Sequence, residues 1–302
     1  MKIILIIFTL LVSAGCENTV PEFSGKNAFQ YLEKQCSFGP RNPGSIGYKE
    51  CLTFLLQELV ATADTVWTQP FTYDDLHRGG SYDLQNIIAR FNPNAEKQIL
   101  LGAHWDTRPW SDKESDIENH NIPIMGANDG ASGVAVLLEI ARILKSNPAE
   151  TGVTIVFFDG EDLGMSGENT SYAQGSQYFA KNLPIPKPNH AINLDMVGDK
   201  HLHLPIERLS YRHAPRLARE IWKLANRLNL PAFDQSLGYS IFDDHVPLWE
   251  FAEIPAIDII DFDYPHKFDN YWHTQEDTPD KCSPASLEQV GTLLTHHIYG
   301  IE

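Results

Sequence analysis

The chain is short of cysteine, of cations and of long apolar runs, and each shortage excludes something. Its four cysteines, Cys16, Cys36, Cys51 and Cys282, lack the spacing of a cysteine-based zinc motif. Three remain after Cys16, an odd count that cannot pair completely within one chain. Cys36 and Cys51 flank a Gly/Pro-rich turn, where a bridge or two buried thiols would both fit. Lysine and arginine number 23 against 40 acidic residues, a formal charge of -17. That balance argues against nucleic acid or an anionic membrane surface as partner. There is no internal repeat and no low-complexity tract.

One extended apolar run exists, Ile3 to Val12, behind Met1-Lys2 and ahead of Ser13-Ala14-Gly15-Cys16. It is too short and too abruptly ended for a transmembrane helix and reads as a signal peptide. The small residues before Cys16 resemble a bacterial lipobox, with Ser13 where leucine is usual. Residues 1–15 are therefore read as a signal peptide and 16–22 as a lipidated Cys16 and tether. The expected location is the bacterial cell envelope, periplasmic or membrane-anchored. Residues 23–302 are expected to form a single domain, since 302 residues with 42% hydrophobic content can bury one substantial core.

Periodicity predicts helices over about 24–36 and 45–61, then strands over 65–73 and 84–91 forming an antiparallel hairpin at a sheet edge. Strand 98–103, helix 129–145, strand 153–158, helix 173–182, strand 190–195, helix 212–228, strand 255–260 and helix 284–299 follow. Strands alternating with helices imply an α/β fold: a mostly parallel central sheet with antiparallel edge strands and helices on both faces. Two long loops, 105–128 and 160–172, follow strands at the edge where ligands gather.

Carboxylates collect at that edge. The apolar run Val153 to Phe158 delivers Asp159-Gly160-Glu161-Asp162, two adjacent acids pointing in different directions. Leu100 to Ala103 runs into His104-Trp105-Asp106. Asp129, in Asn128-Asp129-Gly130, stands before a periodic helix, where capping is the alternative role. Ile192-Asn193-Leu194 ends in Asp195. Near the C-terminus stands Trp272-His273, in a loop rich in Asp and Asn. One such position is weak; five in this order are informative.

The order resembles the zinc-dependent exopeptidase superfamily, which holds co-catalytic zinc aminopeptidases and animal-type glutaminyl cyclases. The resemblance runs from about Phe23 to the C-terminus and implies a three-layer catalytic domain. It also implies Asp129, Asp162 and His273 as ligands of one zinc ion, with Glu161 as general acid/base. In the two-metal aminopeptidases Asp129 would bridge two ions, with His104 and Asp195 holding the second. All five positions are filled, so the ligand inventory alone leaves a peptidase open. Four details resemble the cyclase branch, as found in bacteria. They are Ala103-His104-Trp105-Asp106-Thr107-Arg108-Pro109-Trp110, the Asp at 162, the Asp243-Asp244-His245 segment, and Trp272 preceding His273.

The implied reaction converts an N-terminal glutamine of a peptide or protein to pyroglutamate with release of ammonia. Zinc with an open position would polarise the γ-carbonyl oxygen. Glu161 would take a proton from the attacking α-amine and return it to the departing nitrogen. Asp195 and Asp244 would hold the leaving amide, and Trp272 and His104 would help bind substrate. Several adjacent carboxyls cannot all ionise cheaply, so at least one must share a proton.

Overall fold

The protein is described by a computed structural model covering residues 20–266 and 268–300; the signal-peptide and Cys16 readings lie outside the described residues. In chain order the first elements are α1 (Gly25–Cys36), α2 (Ile46–Thr62), β1 (Thr65–Asp74), β2 (Ser81–Phe91) and β3 (Gln98–His104). Then come α3 (Ala131–Ser146), β4 (Gly152–Phe158), α4 (Gln174–Lys181), β5 (His190–Asp195), β6 (Leu204–Ile206) and α5 (Arg208–His213). The last are α6 (Pro215–Arg227), β7 (Phe233–Leu237), α7 (His245–Ala252), β8 (Ala256–Ile260), the short pair β9 (Pro265–His266) and β10 (Asp269–Asn270), and α8 (Pro284–Tyr299).

Six strands form the central sheet in the order β1-β2-β4-β3-β5-β8. The β1–β2 and β2–β4 pairs are antiparallel and the other three parallel, which gives the expected mostly parallel sheet with an antiparallel edge hairpin. Alternate residues of each strand face opposite sides, so each strand supplies two cores. Ile99, Leu101 and Ala103 of β3 join α1, α2, α3, α6 and α8 on one face. Leu100 faces the other way, with Val156 and Phe158 of β4, against Phe179 of α4 and Leu248 of α7.

β3 lies between β4 and β5. The chain therefore leaves β3 toward one side through α3 and crosses to the other through α4. That reversal opens a crevice at the carboxyl ends of the central strands. His104, Asp195 and the residues after Phe158 all stand there.

Two local readings need correction. The span 212–228 is not one helix: α5 and α6 meet at Ala214, which is non-helical ahead of Pro215. Proline disfavours helical backbone in the residue before it and is well tolerated in a first turn, so Pro215 closes one helix and opens the next. The parallel pair β6–β7 lies outside the predicted strands. In β7 only Phe233 is buried, and Asp234, Gln235 and Ser236 give no apolar alternation. Cys36, Cys51 and Cys282 are all buried free thiols.

Candidate metal centre and its cavity

The turn after β4 depends on Gly160, whose φ is +71° and whose added Cβ would come within 2.6 Å of Leu84 Cδ1. A left-handed residue with no side chain lets the backbone reverse there. Glu161 and Asp162 follow at once on a short 3-10 turn. Asp106, just beyond β3, fixes that turn: its two oxygens accept the backbone N–H groups of Glu161 (3.2 Å) and Asp162 (3.3 Å).

Asp129 is held by a separate clamp. Asp277 accepts the N–H groups of Asn128 (2.8 Å) and Asp129 (3.2 Å), and the Tyr264 hydroxyl donates to it at 3.0 Å. The capping alternative for Asp129 fails, because Gly130 occupies the N-cap position of α3 and no side chain caps it. A Cβ on Gly130 would lie 2.4 Å from His104 Nε2, so glycine is what allows the loop to approach that ring. The Asp129 carboxylate is free to face the crevice.

Asp129, Asp162 and His273 converge, each offering an atom within 4.8 Å of the others. His273 Nε2 is 3.0 Å from Asp162 Oδ1 and 3.7 Å from Asp129 Oδ2. Apart from that His273 contact and Arg108 Nη1 at 3.5 Å, the buried Asp162 oxygens have no hydrogen-bond partner. Buried carboxylates that converge and are short of hydrogen-bond donors are what a cation satisfies. Two carboxylates and one imidazole also match the oxygen and nitrogen ligands of a catalytic zinc site with an open position. The other ring nitrogen, His273 Nδ1, lies 3.4 Å from Asp112 Oδ1. Arg108 grips Asp112 through two bonds of 2.7 Å and donates to the Asp162 and Gly164 carbonyls at 2.9 and 3.0 Å.

A second convergence lies beside the first. His104 Nε2 is 3.0 Å from Asp129 Oδ1 and 3.2 Å from Asp195 Oδ1, while His104 Nδ1 is 3.6 Å from Asp106. Burial pushes Asp129 and Asp195 each up to about 6, with His104 pulling against it. Burial would lower the His104 pKa, but Asp106, Asp129 and Asp195 outweigh it and hold the ring well above the ordinary histidine range. His104 thus stands within ion-pair distance of both Asp129 and Asp195. Burial also lifts Glu161 well above the usual carboxylate range; His104 opposes the shift and Asp243, Asp162 and Asp244 add to it. For Asp162, burial raises the pKa, but His273 and Arg108 outweigh it and leave the carboxyl lowered.

A cavity of about 490 Å³ opens onto this centre. Glu161, Asp129, Asp162, Asp195 and His273 line its floor, and Trp272 lines its wall, stacked on the His273 ring at 3.7 Å between centroids. The volume falls in the range of small-molecule sites. Two sequence assignments land elsewhere. His104 is wholly buried and lines no part of the cavity, so it faces the carboxylates rather than a substrate. Asp244 is buried too, and it is Asp243 that lines the cavity. Adjacent residues entering a helix project roughly 100° apart, and here it is Asp243 that faces the crevice. Asp244 stands at the N-cap position of α7 but makes no capping bond.

Sequence reasoning missed the supporting carboxylates Asp112 and Asp277. Neither sits in a motif; Arg108 reaches Asp112 locally, but Asp112 meets His273, and Asp277 meets Asn128 and Asp129, only through the fold. It also left without partners the Asn193 amide, which donates to Asp243 at 2.9 Å and to Asp258 at 3.2 Å.

Residues 86–298 match Peptidase family M28, and the chain belongs to that family. It is 30% identical over 226 residues to Aminopeptidase YwaD of Bacillus subtilis, covering 71% of this chain and 44% of that protein. The chain thus spans less than half the length of that relative. It is 24% identical over 283 residues to a glutaminyl-peptide cyclotransferase-like protein of Bos taurus, covering 84% of this chain and 70% of that one. Among solved structures, the glutaminyl cyclase of Bacteroides thetaiotaomicron bound to N-acetylhistamine superposes with a TM-score of 0.90 at 35% identity. That match covers 94% of this chain and all of the other.

Proposed function

We propose that this M28-family protein is a zinc-dependent glutaminyl-peptide cyclotransferase, converting an N-terminal glutamine to pyroglutamate with release of ammonia. The observation that carries the reading is the convergence of Asp129, Asp162 and His273 beneath a cavity walled by Trp272, with Glu161 on its floor. Its likeness to the Bacteroides cyclase over nearly the whole chain supports the same reading. Asp129, Asp162 and His273 would hold one zinc ion, which supplies a Lewis acid for the γ-carbonyl oxygen.

The chain's own groups account for the rest. The reaction is intramolecular: the α-amine bonds to the side-chain amide carbon, and the bond from that carbon to nitrogen breaks. Glu161 takes a proton from the α-amine and delivers one to the departing nitrogen, which leaves as ammonia. Its raised pKa suits that exchange, because a base poised nearer neutrality both accepts and returns a proton readily. Asp195 and Asp243 line the cavity beside Glu161 and would hold the leaving amide through hydrogen bonds. Trp272 supplies an apolar wall against the glutamine methylenes.

A second reading, a two-metal aminopeptidase, is favoured by one observation: His104, Asp129 and Asp195 also converge within 4.8 Å. The cyclase reading is preferred because Trp272 lines the cavity wall beside His273 and because the likeness to the Bacteroides cyclase runs over nearly the whole chain. Glu161→Gln tests the first reading. Cyclisation should fall about 100- to 10,000-fold, the usual worth of a general acid/base, with bound zinc unchanged; full activity in the variant would refute the role. Lipidation at Cys16 would tether the enzyme to the cell envelope, and metabolic labelling of Cys16→Ser tests that anchor.

A further inference from the structure

From Tyr239, Phe262 and Asp263 we infer a rim subsite that recognises a cationic side chain just after the N-terminal glutamine; the inference rests on the cyclase reading. Three ring contacts lead from the metal ligand to the rim. Trp272 stacks on His273 at 3.7 Å, Phe262 meets Trp272 at 5.0 Å, and Tyr239 meets Phe262 at 6.1 Å. Trp272, Phe262 and Tyr239 all line the cavity, so this ladder forms one continuous wall. In an extended peptide the residue after glutamine stands about 3.3 Å further out, and a long side chain there would reach toward the Tyr239 end.

A fixed carboxylate stands at that end. The Tyr239 hydroxyl donates to Asp263 Oδ1 at 3.1 Å, and Asp263 also lines the cavity. The loop is braced from below: Asp261 accepts the N–H of Asp263 at 3.1 Å and that of His203 at 2.8 Å. Asp263 therefore keeps its place before substrate arrives. Among the described residues no lysine or arginine lines the cavity, Lys113 Nζ standing over the Trp272 ring at 5.3 Å, and every charged group on its floor other than His273 is acidic. A lysine or arginine side chain at the rim would find Asp263 and the electron-rich faces of Phe262 and Tyr239 together. An acidic side chain would meet repulsion there.

The test compares Gln-Lys, Gln-Ala and Gln-Glu peptides at low ionic strength, in wild type, Asp263→Asn and Tyr239→Phe. The wild-type kcat/KM should favour Gln-Lys over Gln-Glu on the order of tenfold, the effect of a partly exposed carboxylate reinforced by an acidic cavity. The ratio should shrink several-fold in Asp263→Asn or at 1 M salt, which screens beyond about 3 Å. Tyr239→Phe, which keeps the charge, should preserve most of it. Equal turnover of all three peptides by the wild type, or an undiminished ratio in Asp263→Asn, overturns the subsite and leaves the cyclase reading intact. Failure to cyclise any glutamine peptide overturns both.

Discussion

Asp112 Oδ1 stands 3.4 Å from His273 Nδ1, on the side of the ring that faces away from Asp129 and Asp162. A carboxylate there fixes the orientation of the imidazole and raises its basicity toward a metal. Arg108 holds Asp112 in turn, and together with His273 keeps that carboxyl well below its usual range despite burial. Asp112→Ala should therefore weaken zinc binding roughly 10- to 100-fold while the fold is retained. Competition against a chelator reads this directly. An unchanged zinc affinity would reduce Asp112 to a loop anchor.

Asp243 and Asp244 are adjacent but do different things. Asp243 lines the cavity and accepts the Asn193 amide, while Asp244 is buried behind it. Burial, and then Asp243, lifts the Asp244 pKa well above the usual carboxylate range. We expect Asp243→Ala to lower kcat by about 100-fold and Asp244→Asn by less than about tenfold. The reverse order in steady-state kinetics would return the catalytic role to Asp244.

Much of this was legible in the sequence, because strand ends are. His104, Asp162 and Asp195 each follow an apolar run, and Trp272-His273 stands out in a polar loop. What could not be read was which side of a residue pair faces inward. The Asp243-Asp244 choice depends on the angle at which α7 leaves its loop. Asp112 and Asp277 were invisible for a different reason: Asp112 serves a histidine far along the chain, and Asp277 serves a backbone 148 residues away. In the fold, the long strands and capped helices were readable, while β7 was not, since its middle is solvated.

The His190–His297 pair predicts acid sensitivity away from the site. Their Nε2 atoms lie 2.8 Å apart, joining β5 to α8. Burial and then His297 hold His190 down to about 3, and burial and then Lys97 hold His297 down to about 4. Unfolded histidine takes a proton near about 6.5. The native pair therefore resists protons that the unfolded chain accepts, and stability present above that pH is lost as pH falls toward about 4. His297→Gln should flatten the fall in Tm between pH 7 and pH 4.5. Parallel melting curves for wild type and variant would contradict this account.

Mass spectrometry of peptide products reads the reaction at Glu161 without an intermediary. Purified protein would be given Gln-headed and Leu-headed peptides, with zinc content measured on the same sample. The account predicts loss of one ammonia from the Gln peptide alone, with one zinc per chain. Release of free leucine with two zincs per chain would contradict it and make His104 and Asp195 ligands of a second ion.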